Sequence, residues 1–139
     1  MHIGWNEYFT KLLNVIKERS TCERLKVGAL IVKGNNVIVT GYNGAVNKAE
    51  HCTDVGCMMD NGHCIRMVHA EMNAITQCAK LGVATEGATM YVTHFPCIYC
   101  TKHIIQAGIK EIRYMHDYKN DERAIKLLKD SGVSIVKIT

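Results

Sequence analysis

The chain has a single proline among its 139 residues, and no Ser/Gly-rich run, internal repeat or low-complexity tract. Nothing marks a linker, and the length is near the commonest size for one domain with one core. A single domain over residues 1–139 is therefore expected. The longest apolar runs, such as Val27 to Val32, are far too short to span a bilayer. The N-terminus shows no basic head leading into an apolar stretch, so no signal peptide is expected and the cytoplasm is the expected compartment. A clustered basic stripe is also missing. Lys and Arg are scattered, so the formal charge of +4 favours anionic partners such as phosphates and nucleotides without the footprint of a dedicated nucleic-acid binder. Neither membrane nor nucleic acid is expected as a partner. The balance of 47% hydrophobic and 22% charged residues is that of a globular chain and excludes disorder.

Cysteine is abundant by contrast. There are seven, an odd number, in a chain without an export signal, and several stand beside histidines. Reduced thiols that ligate metal fit this better than a disulfide framework. The organising stretch is His69-Ala70-Glu71, answered by Pro96-Cys97-Ile98-Tyr99-Cys100. One imidazole and two thiolates would hold a zinc ion with three protein ligands, His69, Cys97 and Cys100. The open fourth position could carry a reactive water, whereas a structural site would be closed by a fourth ligand. Glu71 is not needed as a ligand and is free to move protons for that water. A lone C-x-x-C would be as compatible with a structural site or packed cysteines; the H-x-E partner and the proline before Cys97 favour the catalytic arrangement.

Along the chain, Trp5, Tyr8, Phe9, Leu12, Leu13 and Ile16 recur at helical spacing, predicting a helix that ends near Arg19-Ser20. Val27–Val32 and Val37–Thr40, joined by Lys33-Gly34-Asn35-Asn36, predict a hairpin. The second strand runs into Gly41-Tyr42-Asn43-Gly44, whose glycines allow a close backbone approach. Ala45 to Val68 has no period and is expected to be irregular; it carries Cys52, Cys57 and Cys64 with His51 and His63. Further elements are a helix over Ala70–Leu81 with Met72, Ile75 and Ala79 inward, a strand over Ala88–Thr93, a helix beginning at Pro96, a strand over Ile109–Met115, a helix over Glu122–Leu128 and a strand over Val133–Ile138. Strand–helix alternation after a hairpin predicts a mostly parallel sheet covered by helices. His69-Ala70-Glu71 and the cysteine pair would each open a helix, so two positive helix ends would face one metal and favour thiolates.

On His69-Ala70-Glu71-Met72-Asn73-Ala74-Ile75 and Thr93-His94-Phe95-Pro96-Cys97-Ile98-Tyr99-Cys100 the chain resembles the cytidine/deoxycytidylate deaminase superfamily. Cys22 before Lys26-Val27-Gly28-Ala29, the Gly41-Tyr42-Asn43-Gly44 loop and Gly62-His63-Cys64-Ile65-Arg66 narrow the resemblance to deoxycytidylate (dCMP) deaminases, from Trp5 to about Val136. The resemblance implies a three-layer α/β/α fold with a mixed five-stranded sheet and helices on both faces. It implies zinc-dependent (Zn2+) hydrolysis of dCMP to dUMP and ammonia, in a homohexamer activated by dCTP with magnesium (Mg2+) and inhibited by dTTP. Carried over residue by residue, Asn43 would contact the sugar, Ala70 would line the substrate pocket, and Arg24, Ala45 and Tyr118 would meet phosphate or sugar. Gly41, Tyr42 and Gly44 would meet the effector. A second, structural zinc is implied, held by Cys22, Cys52, Cys57 and Cys64, with His63 as the alternative to Cys64. Cys78 is expected in the core. His94 stands close enough to Cys97 to line the pocket, but it carries no assigned role, nor do His2, His51, His103 and His116. The competing readings are a tRNA adenosine deaminase, for which the Gly41–Gly44 loop and the cysteine insert have no use, and a non-catalytic, zinc-stabilised interaction protein linked to competence and DNA uptake, against which Glu71 stands.

Overall fold

The computed structural model describes residues 2–139. Trp5–Ile16 forms α1, followed by a single 3-10 turn over Lys17–Arg19. Its inward stripe is narrower than the spacing suggests. Phe9 and Leu13 are fully buried, whereas Trp5 and Tyr8 remain largely exposed, with Trp5 stacked on Phe9 at 5.8 Å between ring centroids. β1 (Gly28–Lys33) and β2 (Asn36–Tyr42) form the hairpin. Gly34 and Asn35 take φ of 54° and 66°, the left-handed pair that a two-residue turn needs to match the strands' twist.

The segment expected to be irregular contains short elements that periodicity cannot reveal. These are β3 (Gly44–Ala45), a one-turn helix α2 (Cys52–Val55), β4 (Met59–Asp60), β5 (His63–Cys64) and β6 (Met67–Val68). β3 pairs with β6, and β4 with β5. Then come α3 (Ala70–Leu81), β7 (Thr89–His94), α4 (Ile98–Gln106), β8 (Glu111–His116), α5 (Glu122–Ser131) and β9 (Ser134–Lys137). Gly82 and Gly132 end α3 and α5 in the left-handed conformation. Pro96 does not open a helix. Cys97 is the N-cap and its sulfur accepts the Cys100 N–H at 3.4 Å, so α4 begins at Ile98.

The five-stranded sheet has the order β2-β1-β7-β8-β9. It is mixed rather than mostly parallel: β1 is antiparallel to both β2 and β7, and only β7, β8 and β9 pair in parallel. The α3 crossover does leave β2 and β7 pointing the same way, as such a connection requires, but β1 occupies the place between them. Side chains alternate across the sheet. Ala29, Ile31, Met90, Val92 and Ile112 pack under α3, α4 and α5 with Ala74, Cys78, Ile104 and Leu128. Leu30, Val32 and Tyr91 pack against Phe9 and Leu13 of α1 on the other face. The result is the expected three-layer α/β/α architecture. Cys78 is in the core, while Ala79, expected inward, is exposed; the buried stripe of α3 runs through Ala70, Ala74 and Cys78. No described helix is long and apolar enough to cross a membrane.

Candidate active site

Two backbone contacts place α3. A Cβ on Gly41 would collide with the carbonyl oxygen of Ala70 and stand 2.7 Å from the Ala74 nitrogen, so β2 lies directly on the first turn of α3. This is the close approach that the glycine permits. Asn73 ties the same parts together, donating its amide to the Tyr42 carbonyl at 2.7 Å and to that of Val68 at 3.4 Å. His69 is the N-cap of α3, in extended backbone with φ −64° and ψ 150°. Glu71 is the second residue of the helix, in its first turn, and is 5% exposed. The non-helical geometry of His69 lets its ring and the Glu71 carboxyl reach the same space, although side chains two apart within a regular helix diverge.

α4 brings Cys97 and Cys100 to the same place from its own N-terminus. His69 Nδ1 lies 3.6 Å from Cys97 Sγ and 3.3 Å from Cys100 Sγ, and the three atoms lie within 4.8 Å of one another. A tetrahedral zinc with bonds of about 2.0 Å to nitrogen and about 2.3 Å to sulfur has ligand-to-ligand edges of roughly 3.5–3.8 Å. One imidazole and two thiols at this spacing fit that ion. Electrostatics agree. The hydrogen bond from Cys100, with further help from His69, holds the Cys97 thiol down to about 4 despite burial, and the Cys97 thiolate raises His69 in turn. Cys100 is pushed strongly up by its hydrogen bond to Cys97 and by burial, so it holds the proton of the metal-free pair. Burial pushes the Glu71 carboxyl up to about 7, against the lowering effect of a backbone hydrogen bond and the His69 charge.

The other predicted residues lie on several different elements. Asn43 is buried and committed to the backbone. Its Oδ1 accepts from Val27 N at 2.8 Å and its Nδ2 donates to Leu25 O at 2.6 Å, which leaves one amide proton for a ligand. Ala70 is fully buried at the start of α3. Ala45 N donates to Thr21 Oγ1 at 3.2 Å and is thus in use. Arg24 is exposed, with a guanidinium nitrogen 3.6 Å from the Met59 sulfur. Tyr118 is 45% exposed and meets the His94 ring edge-on at 6.0 Å. Tyr42 and Gly44 line a cleft of about 390 Å3 beside edge strand β2, together with Asn73 and Gln77; Gly41 contributes backbone only.

The second cysteine group is also brought together. Cys52, Cys57 and Cys64 place their sulfurs within 4.8 Å of one another, with Cys52 and Cys64 at 3.6 Å. Burial and the two neighbouring sulfurs push Cys52 up to about 12. Cys22 lies outside that trio, near enough for its charge to act on Cys57. His63 is exposed on β5 and outside the group.

Sequence reasoning missed the residues that position the others. Asn73, Ser20 (whose hydroxyl donates to Asn43 O at 2.9 Å) and Thr21 act across 23 or more positions of chain, and no local pattern marks them.

The profile of the family "Cytidine and deoxycytidylate deaminase zinc-binding region" matches residues 3–116. The chain is 51% identical over 136 residues to ComE operon protein 2 of Bacillus subtilis, covering 98% of this chain and 72% of that protein. It is 36% identical over 141 residues to the deoxycytidylate deaminase of Saccharomyces cerevisiae, covering 97% of this chain and 45% of that one. Among solved structures, the dCMP deaminase of cyanophage S-TIM5 in complex with dCMP and dUMP superposes with a TM-score of 0.85 at 32% identity, covering 99% of this chain and 98% of that one. The metal-ligand geometry, the fold and these matches agree, and the chain belongs to the cytidine and deoxycytidylate deaminase family of hydrolytic enzymes.

Proposed function

We propose that the enzyme hydrolyses dCMP to dUMP and ammonia, supplying dUMP for thymidylate synthesis. The observation that carries this is the buried Glu71 carboxyl beside the His69, Cys97 and Cys100 set, in a chain similar over nearly its whole length to a dCMP deaminase solved with dCMP and dUMP. His69, Cys97 and Cys100 would hold a zinc ion, which would supply a water acidic enough to act as a nucleophile near neutral pH. Glu71 takes the proton of that water as the ring carbon bearing the amine is attacked. It passes that proton to the ring nitrogen, then takes the second proton from the hydroxyl now on the ring carbon and gives it to the leaving amine, so that water is consumed, the C–N bond breaks and ammonia departs. In the metal-free protein burial raises this carboxyl toward neutrality, which favours a group that must both accept and give a proton. The N-termini of α3 and α4 favour thiolate at Cys97. Asn43 offers its remaining amide proton to the sugar, with Ala70 in the pocket wall and Arg24, Ala45 and Tyr118 toward sugar and phosphate.

The same reading extends to regulation. dCTP with Mg2+ would activate and dTTP inhibit from the cleft lined by Tyr42 and Gly44, within a homohexamer. The support is that the cleft runs along the strand end and the Asn73 side chain that hold α3, so a ligand there touches what positions His69 and Glu71. It also includes a second Zn2+ at Cys52, Cys57 and Cys64 with Cys22 as the fourth ligand, supported by three converging sulfurs. Two clusters that need reduced thiols support the cytoplasm as the compartment.

The test is ammonia release measured side by side on dCMP, dCTP, deoxycytidine and tRNA. Release from dCMP above the other three is expected. Release from tRNA alone would replace the substrate, and none from any would favour the interaction-protein reading.

A further inference from the structure

We infer that His94 is a specificity-determining residue, held in one tautomer so that its Nε2–H donates to the 5′-phosphate of the substrate. The inference rests on the deaminase reading above.

The tautomer follows from a chain of three groups. Gly28 N–H donates to Thr93 Oγ1 at 3.2 Å. Thr93 is fully buried, and its hydroxyl lies 2.8 Å from His94 Nδ1. A hydroxyl has one proton, and the ring nitrogen is the acceptor within reach of it. If Nδ1 carried the hydrogen instead, the threonine proton would be left without an acceptor inside the core, a cost of about 1–3 kcal/mol. The threonine therefore donates, Nδ1 accepts, and the ring of His94 keeps its hydrogen on Nε2. Burial, with the charges of His116 and Lys17, lowers the pKa of His94 and so keeps the ring neutral.

The surroundings select the ligand. His94 ends β7, three residues before Cys97, and pairs in register with His116 at the end of β8. The two rings are 5.3 Å apart, and Tyr118 closes the group edge-on. Lys17 acts on His94, and Lys119 Nζ lies 5.5 Å from the Tyr118 ring centroid. The nearest carboxylate in sequence, Asp117, is taken by Lys137 Nζ at 2.8 Å and Asn120 Nδ2 at 2.9 Å. His94, His116 and Tyr118 thus cluster three residues before a metal ligand, with Lys119 over the Tyr118 ring, at the carboxyl ends of parallel strands where α/β sheets take their ligands. His94 has no free acceptor. It suits phosphate oxygens, which only accept, better than the edge of a cytosine, which presents donors and acceptors together.

The experiment uses His94→Leu and His94→Gln, with zinc content checked in each, and steady-state kinetics on dCMP and deoxycytidine. His94→Leu should raise KM for dCMP at least tenfold with kcat within about threefold, and should lower the preference for dCMP over deoxycytidine by the same factor. His94→Gln, which keeps a side-chain N–H, should recover part of the loss. Thr93 is a positioning residue. Thr93→Val should convert the His94 imidazole 15N spectrum from a single tautomer to a mixture and raise KM for dCMP, and Thr93→Ser should restore both. Equal losses on the two substrates, an unchanged KM in His94→Leu, or an Nδ1–H tautomer in the wild type would each overturn the inference. A wild-type protein inactive on dCMP would sink the deaminase reading and this inference with it, whereas normal wild-type turnover with an unaltered His94→Leu sinks only the inference.

Discussion

Gly41 and Ala70 touch through their backbones: a Cβ on Gly41 would run into the Ala70 carbonyl and stand 2.7 Å from Ala74 N. The edge strand and the helix that carries Glu71 are therefore one unit. Gly41→Ala should force the first turn of α3 outward. Overpacking of this kind costs about 1–3 kcal/mol, and a shift of about 1 Å at the reacting groups costs roughly a hundredfold in rate. Thermal unfolding and ammonia release from dCMP should both fall, and a variant with wild-type values in both would show that the helix does not depend on this contact.

Glu71 gives a pH dependence of stability with a definite sign. Its carboxyl is raised from 4.5 to about 7 in the folded, metal-free protein. A raised carboxyl means that the folded state binds the proton more tightly, so this group opposes folding only once it ionises. Its stability is fully present below pH 4.5 and is lost as the pH rises through about 7. At about 1.4 kcal/mol per pKa unit, metal-stripped Glu71→Gln should gain up to about 3 kcal/mol over wild type between those limits. Denaturant titrations at both ends check this; a pH-independent difference would mean that the Glu71 carboxyl is not raised. In the zinc-loaded protein the same substitution should keep the metal and lose ammonia release.

The three-sulfur group predicts a metal count. Wild type should carry about two zinc ions per chain, and Cys52→Ser about one, with a lower melting temperature and retained turnover. Cys78→Ser, in the core and a member of neither group, should leave the count unchanged. Elemental analysis that finds one zinc in the wild type would remove the second site. Because burial and neighbouring sulfurs keep Cys52 protonated up to about 12, metal entry there should release protons and weaken as the pH falls.

Thr101 Oγ1 is buried without a hydrogen-bond partner among the described residues. A hydroxyl in that state contributes nothing to hold the fold and has already lost its water. Thr101→Val should be neutral or stabilising, by up to about 1 kcal/mol. A clear loss in thermal unfolding would mean that the hydroxyl has found a partner, such as an enclosed water.

The gathering of His69, Cys97 and Cys100 was legible in the sequence because each half of the group sits at one helix start, where the short spacings H-x-E and P-C-x-x-C survive as motifs. The main elements were legible for a similar reason: burial on one face imposes a period of two or 3.6 residues. The glycines at 34, 82 and 132 announced their turns through the φ they adopt. Other features depend on what lies opposite across space. The sheet became mixed because β1 already filled the place beside β7, Gly41 met the Ala70 carbonyl rather than open solvent, and Cys64 rather than His63 closed on Cys52. The hydroxyl of Thr93 that faces His94 is itself met by the N–H of Gly28, 65 positions away along the chain. A sequence records the residue at each position and the local periods that burial demands. Which carbonyl, hydroxyl or sulfur comes to face it is set by the packing of distant segments, and only the tertiary structure decides that.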